Sequence, residues 1–415
     1  MTHTKRKEMI AGLVGLVLLF GLMVVAIHQL FTLEAAGAND FYPRFRGAAL
    51  FWREGLDPYS PAATEAIQRD MYGRLALPEE DQVLFVYPFY VTFMMLPLVW
   101  LPVSYSWIQA IWLTTLLWVM VTAVLLTLRL LDWRMPAWLL GLTVLWAVIF
   151  YNNARTIILG QFAAFIFLWL VAALLALKRG HDGWGGFFLA LTTIKPQMTF
   201  LLIPALFVWA IGQRRWRFLA GFGLTLAGLF AASFVFLPSW LGSFVNQVVS
   251  YPDYTFTGSP LWVITGYYWP QLGKPVEQVL IGLSLGYMVW EWRRLWRPSA
   301  RRETAVSDQL LVTLGITMIV TNLILVRTAT TNYIVMIIPL FLLLREMAHR
   351  WRWGNLGVAL FYGVSIISMW ALFITTIQGD IEHPIMYLPW PFGLLLVLVW
   401  GQHKKLWDGS EQHPG

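Results

Sequence analysis

The sequence predicts an all-α, polytopic membrane protein with about twelve membrane spans, folded as a single domain over residues 1–415. Of the 415 residues, 58% are hydrophobic and only 12% are charged, whereas about 25% are charged in a typical soluble domain. The apolar residues form long continuous runs instead of the short alternating segments of a transmembrane β-barrel. Many of the aromatic residues lie near the ends of these runs, where amphipathic rings favour the headgroup region.

The composition also limits the classes of function. The formal net charge is +7 at pH 7, but excess Lys and Arg in a membrane protein mainly mark the cytoplasmic loops, so no nucleic-acid partner is predicted. The chain contains no cysteine, which excludes disulfides, thiolate nucleophiles and cysteine-ligated metals. The 7 histidines form no pair at metal-binding spacing, and we predict no protein metal site.

The first span is predicted over residues 9–33, directly after the basic triplet Lys5-Arg6-Lys7. A signal peptide is the alternative, because Ala36-Gly37-Ala38 resembles a cleavage site. The apolar part of a signal peptide is about 7–15 residues long, whereas a span takes about 20. We therefore predict a retained helix with its N-terminus in the cytoplasm.

A polar segment, residues 34–83, separates this span from the next apolar run. A segment this polar needs water or buried partners, so we predict a large extracytoplasmic loop. Residues 45–54 have apolar positions on one side, which is typical of a short helix along the membrane interface. The sequence Gly55-Leu56-Asp57-Pro58-Tyr59 predicts a turn, because Pro presets φ and Asp caps locally.

The later spans are predicted from hydropathy and length. Basic clusters at residues 214–217, 293–302, 345–352 and 403–405 indicate cytoplasmic loops and a cytoplasmic C-terminus. A second large extracytoplasmic loop then covers residues 238–275, and we expect a multi-pass protein of the cytoplasmic membrane. The predicted spans after the first are 84–103, 105–128, 136–151, 157–177, 184–212, 216–237, 276–292, 308–326, 333–344, 355–377 and 388–402.

Two topologies remain open between residues 84 and 212. If 84–103 and 184–212 each cross once, the basic stretch 178–181 lies outside, against the positive-inside rule. In the other topology, 84–103 dips into the membrane without crossing, and 184–212 splits into two short helices at Lys195-Pro196. We favour the second topology, because it keeps the basic stretch in the cytoplasm.

Asp40 is the candidate catalytic residue, as a general base. It lies at the end of the first span, in Ala38-Asn39-Asp40-Phe41-Tyr42. Arg44 and Arg46 follow, and a cationic setting favours the charged carboxylate that a base acting on a hydroxyl requires. The aromatic pair after Asp40 is expected to hold the segment against the bilayer. The alternative is an ordinary solvated helix end.

Lys195 is a candidate for binding an anionic head group. A lysine within an apolar run costs about 2.5–3.5 kcal/mol on the insertion scale, so it should face protein or a cavity. Pro196 breaks the helix because it lacks a backbone N–H. A break in a helix that carries a buried cation favours the binding of an anionic head group at that point. The alternative is a lysine that snorkels to the membrane surface.

Two arginines are further candidates for binding a phosphate group. Arg155 lies close to Gln161 in a polar stretch between two predicted spans, and the charge rule places Arg327 outside, where Arg is under-represented. A guanidinium pairs bidentately with phosphate oxygens. The alternative for Arg327 is a structural ion pair with a loop acid such as Asp253.

Several short motifs resemble glycosyltransferase family 87, the bacterial glycosyltransferases that use polyprenyl-phosphate sugars and have the GT-C membrane fold. The resemblance covers roughly the first half of the chain and depends on the order of the motifs and their positions relative to the spans. The second half is similar only in hydropathy. The motifs are Asn39-Asp40-Phe41-Tyr42, Gly55-Leu56-Asp57-Pro58-Tyr59, Tyr87-Pro88, Gly160-Gln161 and Ile194-Lys195-Pro196.

The resemblance implies an inverting transfer of a hexose, often mannose, from a polyprenyl phosphate to a hydroxyl of a lipid or glycan at the outer face of the cytoplasmic membrane. Asp40 matches the position of the family's base. No cofactor is certain, and a divalent metal could assist the phosphate. The candidates for the donor phosphate are Lys195, whose role is our inference, Arg155 and Arg327; those for binding substrate are Asp57, Tyr59, Tyr87, Gln161 and Asn332.

The chain departs from the family's pattern in one place. Family members often have a His in the segment that here reads Thr330-Thr331-Asn332-Tyr333, where Asn332 would have to supply the hydrogen bond. Two other functions stay open. A secondary transporter or lipid flippase also has about twelve spans and broken helices, although the polar loop 34–83 argues against it. The other is a lipid-binding or scaffold protein that catalyses no reaction.

Overall fold

The computed structural model describes residues 3–34, 39–78, 80–254, 258–296, 306–325, 328–379 and 382–404. Over these residues the chain is helical and contains no β-strand, which confirms the all-α class. The α-helices are α1 His3–Ile27, α2 Tyr42–Glu54, α3 Pro61–Tyr72, α4 Val91–Val99, α5 Tyr105–Leu130, α6 Ala137–Ile149, α7 Tyr151–Ile158, α8 Ala163–Lys178, α9 Asp182–Leu191, α10 Leu202–Gly212, α11 Trp216–Phe236, α12 Trp240–Tyr254, α13 Pro260–Trp262, α14 Gly273–Trp296, α15 Asp308–Ile324, α16 Ile337–Arg350, α17 Gly354–Thr376 and α18 Pro389–His403. Short 3₁₀ segments cover Thr192–Ile194, Pro196–Met198, Thr330–Met336 and Pro384–Tyr387, and π-helical turns cover His28–Thr32 and Val263–Tyr268.

The described residues contain six helical segments that are long and apolar enough to cross a membrane. Helices α6 and α7 form a seventh if they are counted as one span bent by 54°. The predicted number of about twelve spans is therefore not confirmed. The six segments are Lys7–Thr32, Tyr105–Leu130, Trp216–Phe236, Thr330–Arg350, Gly354–Thr376 and Pro384–His403, and the shorter apolar helices are Ala163–Lys178, Leu202–Gly212 and Asp308–Ile324.

The difference arises because several predicted spans correspond to short or polar helices. Helix α4 has 9 residues, which is about 14 Å at a rise of about 1.5 Å per residue and about half the thickness of the bilayer core. Helix α14 is long enough, but it carries Lys274, Glu277, Glu291, Arg293 and Arg294. Hydropathy counted over a run cannot separate a span from two half-length helices.

Helix α15 lies at the centre of the bundle. Every residue from 310 to 323 is buried, which is the position expected of a helix that is apolar nearly all round. The hydroxyls of Thr317 and Thr321 donate to carbonyl oxygens one turn back, at 2.9 and 2.7 Å, so these polar groups are paired inside the core. Helix α1, in contrast, is mostly exposed, as suits a peripheral lipid-facing helix.

The predicted loop 34–83 is a compact helical layer over the described part of it. Helix α2 confirms the helix predicted over residues 45–54, and it packs on the start of α4, with the rings of Phe51 and Phe89 4.8 Å apart between centroids. Ser60 caps α3 by accepting a hydrogen bond from the Ala63 N–H at 3.2 Å. Arg46 donates to Asp70 at 2.8 Å and so ties α2 to α3.

The break predicted at Lys195-Pro196 is present. Helix α9 ends at Leu191, two 3₁₀ segments meet at Lys195, and α10 begins at Leu202. The break and the short helix α4 are the two local features of the topology that we favour between residues 84 and 212. The bend in the backbone places Lys195 inside the protein.

We expect Gly186→Ala to lower the thermal stability. A Cβ atom at Gly186 would lie 2.1 Å from the carbonyl oxygen of Phe218 and 2.4 Å from the amide nitrogen of Phe222, so α9 and α11 would have to move apart. Overpacking of this kind typically costs about 1–3 kcal/mol. Gly183→Ala in the same helix meets nothing within 4 Å and is the matched control. Equal melting temperatures of the two variants in detergent would contradict the tight packing of these helices.

Candidate functional site

Asp40 lies just before α2, beside the end of α7. Its backbone N–H donates to the carbonyl of Leu159 at 3.1 Å, and its carboxylate Oδ2 accepts a hydrogen bond from Gln161 Nε2 at 2.6 Å. The next residue, Phe41, is fully buried and stacks on Trp112, with ring centroids 4.6 Å apart. Phe41 therefore fixes Asp40 against the helices, and the expectation that it packs against the bilayer is wrong.

Gln161 follows a left-handed turn at the end of α7. Gly160 has φ of +72°, which glycine adopts without strain, and its carbonyl accepts a hydrogen bond from Trp112 Nε1 at 2.9 Å. The Gln161 side chain is buried and uses both ends of its amide. Nε2 donates to Asp40, and Oε1 accepts from Lys195 Nζ at 2.7 Å. A carboxamide can bridge an anion and a cation in this way because it is both donor and acceptor.

Lys195 is almost fully buried, with 4% of its surface exposed. It does not snorkel to a surface, which removes that alternative for this side chain. The negative charge of Asp40 and the positive charge of Arg44 both act on its ammonium group. Asp40, Gln161 and Lys195 thus form one hydrogen-bonded chain from a carboxylate through an amide to a buried cation.

Arg44 and Tyr87 complete this group of side chains. The guanidinium carbon of Arg44 lies 4.9 Å from the centroid of the Tyr87 ring, a cation–π distance. Arg44 sits in the first turn of α2, one turn after Asp40. We call Asp40, Arg44, Tyr87, Gln161 and Lys195 the Asp40 cluster.

Asp57 and Tyr59 support the Asp40 cluster through the backbone. Asp57 Oδ1 accepts a hydrogen bond from the Tyr59 N–H at 2.8 Å, which closes the predicted turn, and the Tyr59 hydroxyl donates to the carbonyl of Tyr87 at 2.7 Å. Burial, and then the negative charge of Asp57, raise the pKa of Tyr59 well above its ordinary value, so this hydroxyl stays protonated. These contacts position Tyr87, while direct substrate binding by Asp57 and Tyr59 stays a prediction.

Arg155 belongs to a second polar group, at the other end of α7. The carboxylate of Glu382 accepts hydrogen bonds from the hydroxyls of Tyr151 and Thr330, the latter at 2.7 Å. Arg155 lies one turn after Tyr151, with its guanidinium carbon 5.4 Å from the centroid of the Phe373 ring. Arg155 and Glu382 both act electrostatically on the Tyr151 hydroxyl. We call Tyr151, Arg155, Thr330 and Glu382 the Glu382 group.

Asn332 lies in the 3₁₀ segment Thr330–Met336 and is buried. Its Nδ2 donates to Thr328 Oγ1 at 3.4 Å, and the segment packs against α7, where Thr156 Oγ1 donates to the carbonyl of Thr331 at 3.3 Å. The structure thus places Asn332 beside α7 and not in the hydrogen-bonded chain of the Asp40 cluster. Arg327 lies outside the described residues.

Two features of the site are absent from the sequence predictions. Glu382 was not a candidate, and its only signal is that it is an acid in a short loop between two apolar runs. Gln161 was expected to touch substrate, whereas in the structure its amide joins Asp40 to Lys195. Both features depend on contacts between residues that are far apart in sequence.

The Asp40 cluster has the groups that a proton transfer beside an anion needs. A carboxylate held by a hydrogen bond can act as a general base, and a buried cation can stabilise a negatively charged group where water is excluded. Among the described residues, no group of three or more His, Cys, Asp and Glu side chains lies close enough to hold a metal ion.

Residues 85–322, more than half of the chain, match the model of glycosyltransferase family 87. The chain belongs to this family. The matched range includes Tyr87, Gln161 and Lys195, whereas Asp40 and Glu382 lie outside it. No curated protein and no solved structure matches the chain. The resemblance seen in the short motifs is therefore confirmed at the level of the family, and this member of family 87 is a glycosyltransferase with several membrane-spanning helices.

Proposed function

We propose that this family 87 protein is an inverting glycosyltransferase that moves a hexose, mannose in the first instance, from a polyprenyl-phosphate donor to a hydroxyl of a lipid or glycan. The observation that carries the proposal is the hydrogen-bonded chain Asp40–Gln161–Lys195 in a member of this family. It holds a carboxylate and a buried cation on either side of one amide. Displacement at a sugar phosphate needs both charges, one for the acceptor's proton and one for the leaving phosphate.

In the proposed reaction, the acceptor oxygen attacks the anomeric carbon while the bond from that carbon to the phosphate oxygen breaks. Asp40 takes the proton of the acceptor hydroxyl, and the phosphate leaves with the bonding electron pair as polyprenyl phosphate. A single displacement inverts the anomeric configuration. Gln161 holds Oδ2 of Asp40. The other carboxylate oxygen has no hydrogen-bonding side chain as a partner among the described residues, and in this proposal it faces the acceptor.

Lys195 and Arg44 bind the donor phosphate in this proposal. Both have basic side chains, and both belong to the cluster that contains the base. Lys195 is held by Gln161 and shielded from water, so its charge acts on a phosphate with little screening. A divalent cation bound with the phosphate would add to the same stabilisation.

The proposed arrangement in the membrane follows from the charge rule and the apolar helices. Both termini are cytoplasmic, and the segments 34–83 and 238–275 lie outside the cytoplasmic membrane, in a GT-C-like fold formed by the single domain 1–415. The apolar surfaces between helices hold the polyprenyl tail, so that the donor enters from the bilayer. The reaction takes place at the outer face.

We expect a reporter fused after Tyr59 to give an extracytoplasmic signal. The segment that contains Tyr59 also contains the turn that positions Tyr87, so its side of the membrane is the side of the Asp40 cluster. Paired fusions to alkaline phosphatase and to a fluorescent protein that matures only in the cytoplasm make the measurement, and a fusion after His403 is the cytoplasmic control. A cytoplasmic signal at Tyr59 would overturn the proposed orientation.

Transfer assays test the proposed chemistry directly. The purified protein in nanodiscs is mixed with total bacterial membrane lipids and with polyprenyl-phosphate mannose, glucose or arabinose, each radiolabelled in the sugar. Transfer of label to a new lipid or glycan product from the mannose or the glucose donor supports the proposal, whereas transfer from the arabinose donor alone would show a pentose donor and not a hexose donor. Movement of the labelled donor across the membrane of proteoliposomes that contain the protein, without product, would instead support a flippase. No transfer from any of the three donors would count against the enzyme.

A further inference from the structure

Helices α16, α17 and α18 form an apolar cavity that is separate from the Asp40 cluster. Its volume is about 700 Å³, within the range of about 300–1,000 Å³ that is typical of small-molecule sites. Leu340 and Leu344 of α16, Phe361 of α17, and Leu394 and Val397 of α18 line its wall. Val397 is 46% exposed, so the cavity opens to the outside of the bundle. Because these side chains offer no hydrogen bonds, the part of a ligand that fills the cavity is a hydrocarbon chain.

The cavity has one charged end. Among the described residues that line it, the charged ones are Glu346 and Arg350, both near the end of α16. Trp351 and Trp400 line the same end and are 53% and 56% exposed, as suits tryptophan at a membrane–water interface. From Leu340 to Arg350 the helix rises about 15 Å at about 1.5 Å per residue, which is half of a bilayer core of about 30 Å. The cavity therefore has the depth of one leaflet, with its charged end at the surface of that leaflet.

Positive charge exceeds negative charge at this end of α16. Glu346 accepts hydrogen bonds from two arginines, Arg345 at 2.9 Å and Arg350 at 3.1 Å. Arg345 also pairs with Asp308, and Arg352 is exposed just beyond the helix. Three guanidinium groups thus face two carboxylates. A guanidinium has five N–H groups, so it can pair with a carboxylate and also donate to a phosphate.

Gly393 keeps the cavity open on the side of α18. It lines the cavity from within the helix, where glycine costs about 1 kcal/mol relative to alanine. A Cβ atom at Gly393 would meet nothing within 4 Å, so close packing against the protein does not require the glycine. A larger side chain at this position would take up space in the cavity.

We propose that this cavity binds an anionic glycerophospholipid of the cytoplasmic leaflet. One acyl chain fills the cavity, and the phosphate of the head group binds Arg350, with Arg352 adding positive charge at the leaflet surface. The charge rule places this end of α16 in the cytoplasm. The cytoplasmic leaflet is negatively charged, and basic pockets between membrane helices on that side favour anionic head groups. The inference does not depend on the proposed transfer reaction, because it concerns a separate site and is measured by binding.

The polyprenyl phosphate of the donor is a less suitable occupant. The Asp40 cluster lies beside the end of α7, and α7 contacts the 3₁₀ segment Thr330–Met336, which directly precedes α16. From Met336 to Arg350 the chain rises about 21 Å at about 1.5 Å per residue. A phosphate bound at Arg350 therefore lies at the opposite end of α16 from α7. A donor whose phosphate lies at the Asp40 cluster would not use the charge of Arg350.

The test measures lipid binding by native mass spectrometry of the full-length protein purified in detergent. Phosphatidylglycerol and phosphatidylcholine with the same acyl chains are titrated onto the wild-type protein, Arg350→Gln and Gly393→Leu. We expect the wild-type protein to bind phosphatidylglycerol at least about fivefold more tightly at one site, and Arg350→Gln to lose about fivefold of this preference, the scale for one basic residue near an anionic lipid surface. Gly393→Leu should weaken the binding of both lipids about tenfold, the factor for about two methylene groups that no longer fit.

Two control variants separate lipid binding from folding. Gly363→Leu in α17 is matched to Gly393→Leu, because a Cβ atom at Gly363 also meets nothing within 4 Å but Gly363 does not line the cavity. Both leucine variants should melt at or above the wild-type temperature, since leucine favours a helix more than glycine does. Arg350→Lys keeps the positive charge and should keep the preference for phosphatidylglycerol.

Four results would overturn this inference. Equal binding of the two phospholipids to the wild-type protein would exclude the anionic head group, and unchanged binding in Gly393→Leu would exclude the cavity as the site. Polyprenyl phosphate that displaces phosphatidylglycerol at equal or lower concentration would assign the cavity to the lipid of the donor. A dimer that forms without lipid and is lost in Gly393→Leu would make a second copy of the chain the occupant. An inactive protein in the transfer assay would remove the proposed function and leave the binding result unaffected.

Discussion

Asp40→Asn is expected to lower the transfer rate by about 10²–10⁴-fold, the range for loss of a general base. Asparagine has nearly the same shape, and its side-chain oxygen can still accept the hydrogen bond from Gln161 that holds Asp40 at 2.6 Å. The packing of Phe41 on Trp112 is untouched. The substitution therefore removes the proton acceptor and leaves its surroundings in place, so the loss should be in kcat and not in the donor KM.

The measurement is the initial rate of sugar transfer at saturating donor, together with the melting temperature of the same preparation. Asp70→Asn is the matched control, because Asp70 is a half-exposed partner of Arg46 and a surface ion pair contributes only about 0–1 kcal/mol. Full activity in Asp40→Asn would show that another group takes the proton. A large drop in melting temperature would indicate a structural role instead.

The parts of the site that the sequence predicts are those with a local signature. Asp40 stands out because a polar run begins at the end of an apolar one, and Lys195 because a charge and a proline interrupt another. Each of these signals lies within a few residues, and the structure has both the packed turn at Asp40 and the break at Lys195. The all-α class follows in the same way from composition.

The contacts between these parts have no local signature. The hydrogen bond from Gln161 to Asp40 joins residues 121 positions apart, and the bond from Tyr151 to Glu382 joins residues 231 apart. The sequence around a hydrogen-bonding side chain in a loop does not show whether that side chain contacts substrate, another side chain or water. For this reason Gln161 and Arg155 could be predicted as polar positions, but not the groups to which each belongs.

The predicted number of spans is not confirmed for a related reason. Hydropathy measures whether a segment tolerates lipid, and a half-length helix buried inside the protein is as apolar as half a span. Helices α9 and α10 on either side of Lys195 illustrate this, since the run 184–212 is long enough to cross once but is broken in its middle. The same break at Lys195-Pro196 places the Lys195 side chain in the Asp40 cluster.

Lys195→Ala is expected to lower kcat/KM for the donor by about 10–150-fold, since a hydrogen bond to a charged group contributes about 1.5–3 kcal/mol and about 1.4 kcal/mol corresponds to a factor of ten. Lys195→Arg keeps the positive charge, although its longer side chain fits the buried position less well, so its loss should be smaller. Donor titrations at fixed acceptor measure both. Equal losses in the two variants would argue against a contact with phosphate.

Lys195→Met separates the ammonium group from the space that its side chain fills. Alanine leaves a cavity as well as an unpaired Gln161 Oε1, whereas methionine fills the position of the lysine stem, so its melting temperature should be the higher of the two. A buried ammonium also carries a desolvation cost that methionine avoids. A Lys195→Met protein that is at least as stable as Lys195→Ala, yet equally slow with donor, would assign the loss to the missing charge. Lys274→Met, at an exposed position, should match the wild-type protein in both measurements.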